Sequence, residues 1–210
     1  MKKTLLALAL IAAGSAQAAT ITQSAALNLE TTEIHQIFNI NKFDSALGTL
    51  TGVAITLDGE AISSATLTNT AAQAQRFQFG STLNLYLDGA GLSEVLALNL
   101  FNYNSQIQVG QTVNLGTVNP SDSLLINAAD LSAFIGTGTT SFTCDSLVSN
   151  SQAGGGGNIT VVQNTQAGCG LSVVYTYDVP TTPPAQVPEP ASMALVGLGM
   201  MGLAAIRRRK

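Results

Sequence analysis

Apolar and polar residues alternate with a period of two in four stretches of the chain, at residues 33–41, 52–58, 81–88 and 171–179. The alternation places these large side chains on one face of each stretch: Ile34, Phe38 and Ile40; Val53, Ile55 and Leu57; Leu83, Leu85 and Leu87; Val173, Tyr175 and Tyr177. A period of two, with β-branched and aromatic residues, is typical of half-buried β-strands. The pattern therefore predicts an all-β domain.

Turn residues separate these stretches, as in Asp88-Gly89 and Asn119-Pro120. Short strands at such spacing favour an antiparallel β-sandwich that is jelly-roll-like. A short helix is an alternative prediction for two segments, residues 91–101 and residues 130–134. Asp58 and Glu60 flank Gly59, which predicts a hairpin turn with two solvated carboxylates.

The N-terminus has the three parts of a secretory signal peptide. Two lysines precede an apolar run over residues 5–13, and Ala16-Gln17-Ala18 is a small-x-small cleavage site. The run is shorter than the ~18–20 residues that span a bilayer, which argues against an N-terminal anchor. We expect Sec-type export machinery and signal peptidase to process residues 1–18. The mature chain then begins at Ala19, and residues 19–178 form the exported domain.

The C-terminus predicts a separate transmembrane helix over residues 191–206, which are uncharged. As a helix they would be about 24 Å long, at ~1.5 Å per residue, and flanking arginines can extend to the interface. The basic cluster Arg207, Arg208, Arg209 and Lys210 favours the cytoplasmic side. A buried helix of a soluble domain is the alternative, but the segment lacks a polar stripe.

A proline-rich linker over residues 179–190 precedes this helix, and it holds five of the six prolines of the chain. Such a segment is extended and acts as a spacer. Val187-Pro188-Glu189-Pro190, the apolar segment and the basic cluster together resemble the PEP-CTERM sorting signal of Gram-negative bacteria that make extracellular polysaccharide.

This resemblance implies a partner, exosortase, a membrane-embedded cysteine transpeptidase that cuts near the Pro-Glu-Pro. The helix would hold the chain in the inner membrane until it is cut. The domain would then reach the cell surface or the extracellular matrix, where exopolysaccharide is a further expected partner. A plain C-terminal membrane anchor is the alternative.

Charge excludes one class of partner. Residues 19–187 contain only two basic residues, Lys42 and Arg76, against eleven acidic ones, so their formal net charge is −9. Binding to nucleic acid needs clustered lysine and arginine, and we expect none. The acids are scattered, which favours a role in solubility over a metal site; a bound calcium ion is left open.

Two cysteines, Cys144 and Cys169, suit an oxidising compartment. We expect them to form a disulfide that staples a hairpin around the four-glycine run at residues 154–157, with a stabilisation of ~3 kcal/mol. Free thiols or a metal pair are the alternative, but no histidine or third cysteine lies near in the sequence.

A second resemblance lies inside the domain. The run Phe43–Val53, FDSALGTLTGV, and the closing Tyr175-Thr176-Tyr177 resemble the choice-of-anchor E family. This implies an exported, surface-directed domain and supplies no catalytic residues.

The residues of that run also predict local structure. Phe43 and Leu47 can enter the core, and Asp44 can cap a turn. Gly48 permits a sharp entry into the next strand.

No catalytic or cofactor-binding set emerges from the sequence. His35 is the only histidine, and it lies opposite the apolar face of its stretch, so we expect it in solvent. A Ser-His-Asp set with Asp44 is explained by chance, and paired carboxylates such as Asp58 and Glu60 more often lie solvated than hydrolyse glycosides.

The sequence thus favours a non-enzymatic surface or matrix protein. A carbohydrate-binding module is the first alternative, although tryptophan is absent and stacking would rest on exposed tyrosines. The candidates are the four tyrosines of the chain: Tyr86, Tyr103, Tyr175 and Tyr177. A hydrolase is the second alternative.

Overall fold

The computed structural model describes residues 18–180. Within this range, ten β-strands and three short 3-10 turns form two antiparallel sheets, and there is no α-helix. No helix in the same range is long and apolar enough to cross a membrane. The greater part of the predicted signal peptide, the linker beyond Pro180, the predicted membrane helix and the basic cluster lie outside the described residues.

The six-stranded sheet has the order β1-β10-β4-β7, with β2 also paired to β10 and β8 to β4. Its strands are β1 (Ala18–Ala25), β2 (Glu30–Thr31), β4 (Thr49–Asn69), β7 (Thr112–Val118), β8 (Ser121–Asn127) and β10 (Ile159–Asp178). The strands β4 and β10 have 21 and 20 residues and pair along their whole length.

The four-stranded sheet has the order β3-β9-β5-β6. Its strands are β3 (His35–Asn41), β5 (Gln75–Gly89), β6 (Leu92–Ile107) and β9 (Thr139–Gly154). The 3-10 turns lie at Ser45–Leu47, Ser132–Phe134 and Gly155–Gly157. The inner faces of the two sheets enclose one hydrophobic core, which confirms the predicted β-sandwich.

The predicted apolar faces form this core. Leu83, Leu85 and Leu87 of β5 are fully buried, and Ile55 and Leu57 of β4 are fully buried as well. The predicted turn at Asn119-Pro120 joins β7 to β8, whereas Asp88 and Gly89 are the last residues of β5 and the turn into β6 lies at Ala90-Gly91. The period of two is therefore a reliable guide to which side chains face inward.

The predicted hairpin turn around Gly59 is wrong, because Asp58, Gly59 and Glu60 lie in the middle of β4. A Cβ on Gly59 would come within 2.5 Å of Leu85 Cδ1 from the opposite sheet. The glycine therefore serves close packing between sheets and not a change of direction.

The alternative prediction of a short helix at residues 91–101 is also wrong, since this segment belongs to strand β6. Leu96, Leu98 and Leu100 face the core at every second position, which is the period of a strand. The other segment for which a short helix was an alternative, residues 130–134, contains only the 3-10 turn at Ser132–Phe134.

The predicted disulfide between Cys144 and Cys169 is present, with both side chains fully buried. Cys144 lies in β9 and Cys169 in β10, so the bond joins the two sheets across the core with a Cα–Cα distance of 6.5 Å. The expectation that it staples a hairpin is wrong, because β9 and β10 belong to different sheets.

Candidate functional site

The end of the sandwich from which the chain leaves toward the linker is the first candidate site. The last residue of β10, Asp178, pairs with Ala18 of β1 on one side and with Thr49 of β4 on the other. Ala19, the expected first residue of the mature chain, pairs with Tyr177. The expected mature N-terminus and the start of the linker therefore lie side by side. Ala16 of the cleavage site lies outside the described residues.

Aromatic residues pack beneath this end. The Phe43 ring is fully buried, with its centroid 5.1 Å from that of Tyr177 and 6.1 Å from that of Tyr175. The Tyr175 hydroxyl donates a hydrogen bond to the Asn41 carbonyl at 2.8 Å, which ties β10 to β3 of the other sheet. Burial raises the pKa of Tyr175 above the usual value for tyrosine.

The turn before β4 fits against the same end. Asp44 caps it, since its Oδ1 accepts the Ala46 N–H at 2.9 Å. Gly48 has a φ of +150°, and a Cβ there would overlap the Asp178 carbonyl oxygen. These two predictions are confirmed, but Leu47 is 43% exposed and does not enter the core.

The outer face of the four-stranded sheet is the second candidate site. A depression of about 450 Å³ lies where β5 and β6 change register, between Ser81 and Thr82. Its polar lining comes from three strands: Thr82 of β5, Asn99 and Asn102 of β6, and Ser149, Asn150 and Ser151 of β9. None of the residues that line it is charged.

His35 lies on this outer face, exposed as predicted, with 62% of its side chain accessible. Its Nδ1 lies 2.5 Å from Oδ1 of Asp145, a half-exposed residue opposite it in the β3–β9 pair. Among residues 18–180 this is the only side-chain hydrogen bond of the histidine, and Asp44 is not its partner. Sequence reasoning missed Asp145, because only strand register brings the two residues together.

The acids Asp58 and Glu60 line a shallow depression of about 330 Å³ together with Asp122 of the neighbouring strand β8. Within the part of the chain that the structure describes, no three His, Cys, Asp or Glu side chains lie close enough to hold a metal ion. The site therefore offers carboxylates without the geometry of a metal centre.

The tyrosines are less accessible than expected. Tyr175 is fully buried, and Tyr103 and Tyr177 are partly buried against the core. Only Tyr86 lies on an outer face, between Asp145 of β9 and Val95 of β6.

Comparison with solved structures finds a weak likeness to chains of infectious bursal disease virus. A chain of the Gx strain is 14% identical, with 85% of this chain and 42% of that chain covered and a TM-score of 0.23. A chain of the T13 particle is 16% identical, with 98% and 51% covered and the same TM-score of 0.23. This chain thus spans about half the length of the viral chains, and we draw no conclusion from the likeness.

No curated protein matches the sequence. A family model does match its C-terminus: residues 186–210 fit the PEP-CTERM protein-sorting motif. The match covers the predicted Val187-Pro188-Glu189-Pro190 motif, the apolar segment and the basic cluster Arg207–Lys210, all outside the described residues. The chain therefore carries a PEP-CTERM motif, which implies an exported protein that exosortase processes and that is sorted at the cell envelope.

Proposed function

We propose that this chain is a non-enzymatic protein of the cell surface or extracellular matrix of a Gram-negative bacterium, released from the inner membrane when exosortase cuts its tail. The PEP-CTERM motif at residues 186–210 carries this proposal. The predicted signal peptide at residues 1–18 directs the chain into export, and the apolar segment at residues 191–206 holds it in the membrane until it is cut.

The pairing at the exit end supports the proposal. Asp178 is hydrogen-bonded within a sheet on both sides, between β1 and β4, so the fold ends firmly at the start of the linker. An extended chain rises ~3.1 Å per residue, and residues 179–187 can therefore span about 28 Å. Such a length would separate the Pro-Glu-Pro from the folded domain, as access by a transpeptidase requires.

We further propose that the exported domain belongs to the choice-of-anchor E family. The two stretches that carry this resemblance are far apart in sequence, yet Phe43 of one contacts Tyr177 of the other. Their role in this chain is to fix the end of β10.

The absence of enzyme activity is part of the proposal. His35 and Asp145 both have exposed side chains, 62% and 46% accessible, whereas catalytic groups normally act in a cleft that excludes water. A hydrolase remains the weaker candidate.

Intact mass tests the proposed processing. We would express the full chain in cells with and without exosortase and weigh the protein from the envelope and the medium. We expect a mass from Ala19 to near Val187 only when exosortase is present. Pro188→Ala with Glu189→Ala should abolish this product, whereas the matched linker variant Pro183→Ala with Pro184→Ala should not. A mass that retains Arg207–Lys210 in cells with exosortase would contradict the proposal.

A further inference from the structure

We propose that the outer face of the four-stranded sheet binds a neutral polysaccharide, seated in the depression where β5 and β6 change register. The inference deepens the proposed function, because it identifies the surface through which the released domain would hold a matrix polymer. The site itself depends only on the residues of this sheet.

A β-bulge shapes the depression. Ser81 pairs with Phe101 and Thr82 with Asn99, so Leu100 of β6 has no partner on β5. Leu100 and Phe101 are consecutive, yet both are buried. Bulges bend a strand and redirect its side chains, and they often lie next to binding sites. Here the bend opens a depression of about 450 Å³, within the size range of small-molecule sites.

Gly80 keeps one wall of the depression low. A Cβ on Gly80 would come within 2.6 Å of Ser151 Oγ on the neighbouring strand. The missing side chain leaves the outer surface of three strands open at this point, so that a polymer could pass across it.

The lining offers the hydrogen-bonding groups that sugar hydroxyls need. Asn99 and Asn102 are exposed, and they pair with Thr82 and Gly80, so their side chains stand on the outer face of β6. An amide both donates and accepts hydrogen bonds, as a hydroxyl does. Amides and serine hydroxyls around one depression therefore suit a polyhydroxylated ligand.

An aromatic side chain lies farther along the same face. Tyr86 and Thr82 are both on the outer face of β5, four residues apart, which corresponds to about 14 Å along a strand at ~3.4 Å per residue. An aromatic ring can pack against the apolar face of a pyranose. An oligosaccharide aligned with β5 can contact the ring and the depression together.

Charge selects the class of polysaccharide. The depression has no charged lining residue, and residues 19–187 carry a net charge of −9. Acidic polysaccharides would be repelled by this field, so the ligand class is neutral glycans.

The test is electrophoresis of the full chain, kept in a mild detergent, through gels that contain one polysaccharide each. The probes are dextran, a soluble β-glucan and galactomannan, with polygalacturonate as the acidic probe. We expect at least one neutral probe to slow the chain. Asn99→Ala with Asn102→Ala should weaken the retardation about tenfold, because two hydrogen-bonding amides are lost, and Tyr86→Ala should weaken it as well.

The matched control is Asn164→Ala with Gln166→Ala. These two exposed amides line a depression of about 300 Å³ on the other sheet, so their loss should leave the retardation unchanged. No retardation by any neutral probe, stronger retardation by polygalacturonate, or an equal loss in the control variant would each overturn the inference.

The two proposals fail in different ways. If the chain binds no neutral polysaccharide but its mass shows that the tail is removed, only the polysaccharide site is overturned. If the chain binds a neutral polysaccharide but keeps its tail, only the proposed sorting is overturned.

Discussion

The side-chain oxygen of Gln36 accepts the backbone N–H of Cys169 at 3.0 Å, across the interior from one sheet to the other. This N–H lies in a gap of the ladder, because β1 pairs with residues 171–178 of β10 and β2 only with residues 166 and 167. Gln36 also stands opposite Cys144 in the β3–β9 pair. The amide and the disulfide therefore join the same two sheets at one place.

Replacing Gln36 by Leu should lower the free energy of unfolding by about 1–3 kcal/mol, because the buried Cys169 N–H would lose its acceptor. Urea unfolding of the exported protein measures this difference. Gln78→Leu is the matched control, since Gln78 is an exposed glutamine of β5. An equal loss of stability in both variants would show that the hydrogen bond to Cys169 is not the cause.

The disulfide should contribute about 3 kcal/mol to the free energy of unfolding, since it closes a loop between residues 25 apart in sequence. Cys144→Ala with Cys169→Ala should therefore shift the urea midpoint downward by the corresponding amount. Reduction of the unmodified protein should give a shift of the same sign. A midpoint that neither change moves would contradict this prediction.

Gly48→Ala should destabilise the fold by about 1–3 kcal/mol, because the new side chain meets both a positive φ and the Asp178 carbonyl. Gly52→Ala is the matched control, four residues farther on in β4, where the nearest atom to a new Cβ is 3.8 Å away. Thermal unfolding followed by circular dichroism compares the two. Equal melting temperatures for both variants would contradict the inference that the close contact between Gly48 and Asp178 stabilises the end of β10.

The free energy of unfolding should fall at alkaline pH, because the buried Tyr175 hydroxyl then ionises. Its pKa is raised by burial, so its contribution is fully present below the unfolded-state pKa of about 10 and is lost as the pH rises toward the higher folded-state value. Urea unfolding at several values above neutral pH measures the slope. Tyr175→Phe should reduce that slope, while it lowers stability at neutral pH through loss of the hydrogen bond to Asn41.

The sequence predicted what depends on local alternation. The inward faces of the strands, such as Leu83 to Leu87, follow from a period of two, and the two cysteines left one pairing to consider. Asp44 and Gly48 were predicted correctly because a turn imposes its own chemistry on neighbouring residues.

What the sequence could not show depends on contacts between distant strands. In the sequence, a glycine between two acids is typical of a turn. In the structure, Gly59 is needed because Leu85 of the opposite sheet occupies the space where a Cβ would lie. Asp145 meets His35 only through register, and the depression on the four-stranded sheet exists only because of a bulge between β5 and β6. Neither a register nor an unpaired residue can be read from one strand alone.

The position of β10 has a consequence for the timing of folding. Within residues 18–180 it is the last strand in sequence, yet it lies inside the six-stranded sheet and pairs with both β1 and β4. Contacts between residues so far apart in sequence form slowly, because long loops must close first. A chain that crosses a membrane from its N-terminus cannot form these ladders until nearly the whole domain has crossed. An exported chain with this topology can therefore complete the six-stranded sheet only after β10 has reached the far side of the membrane.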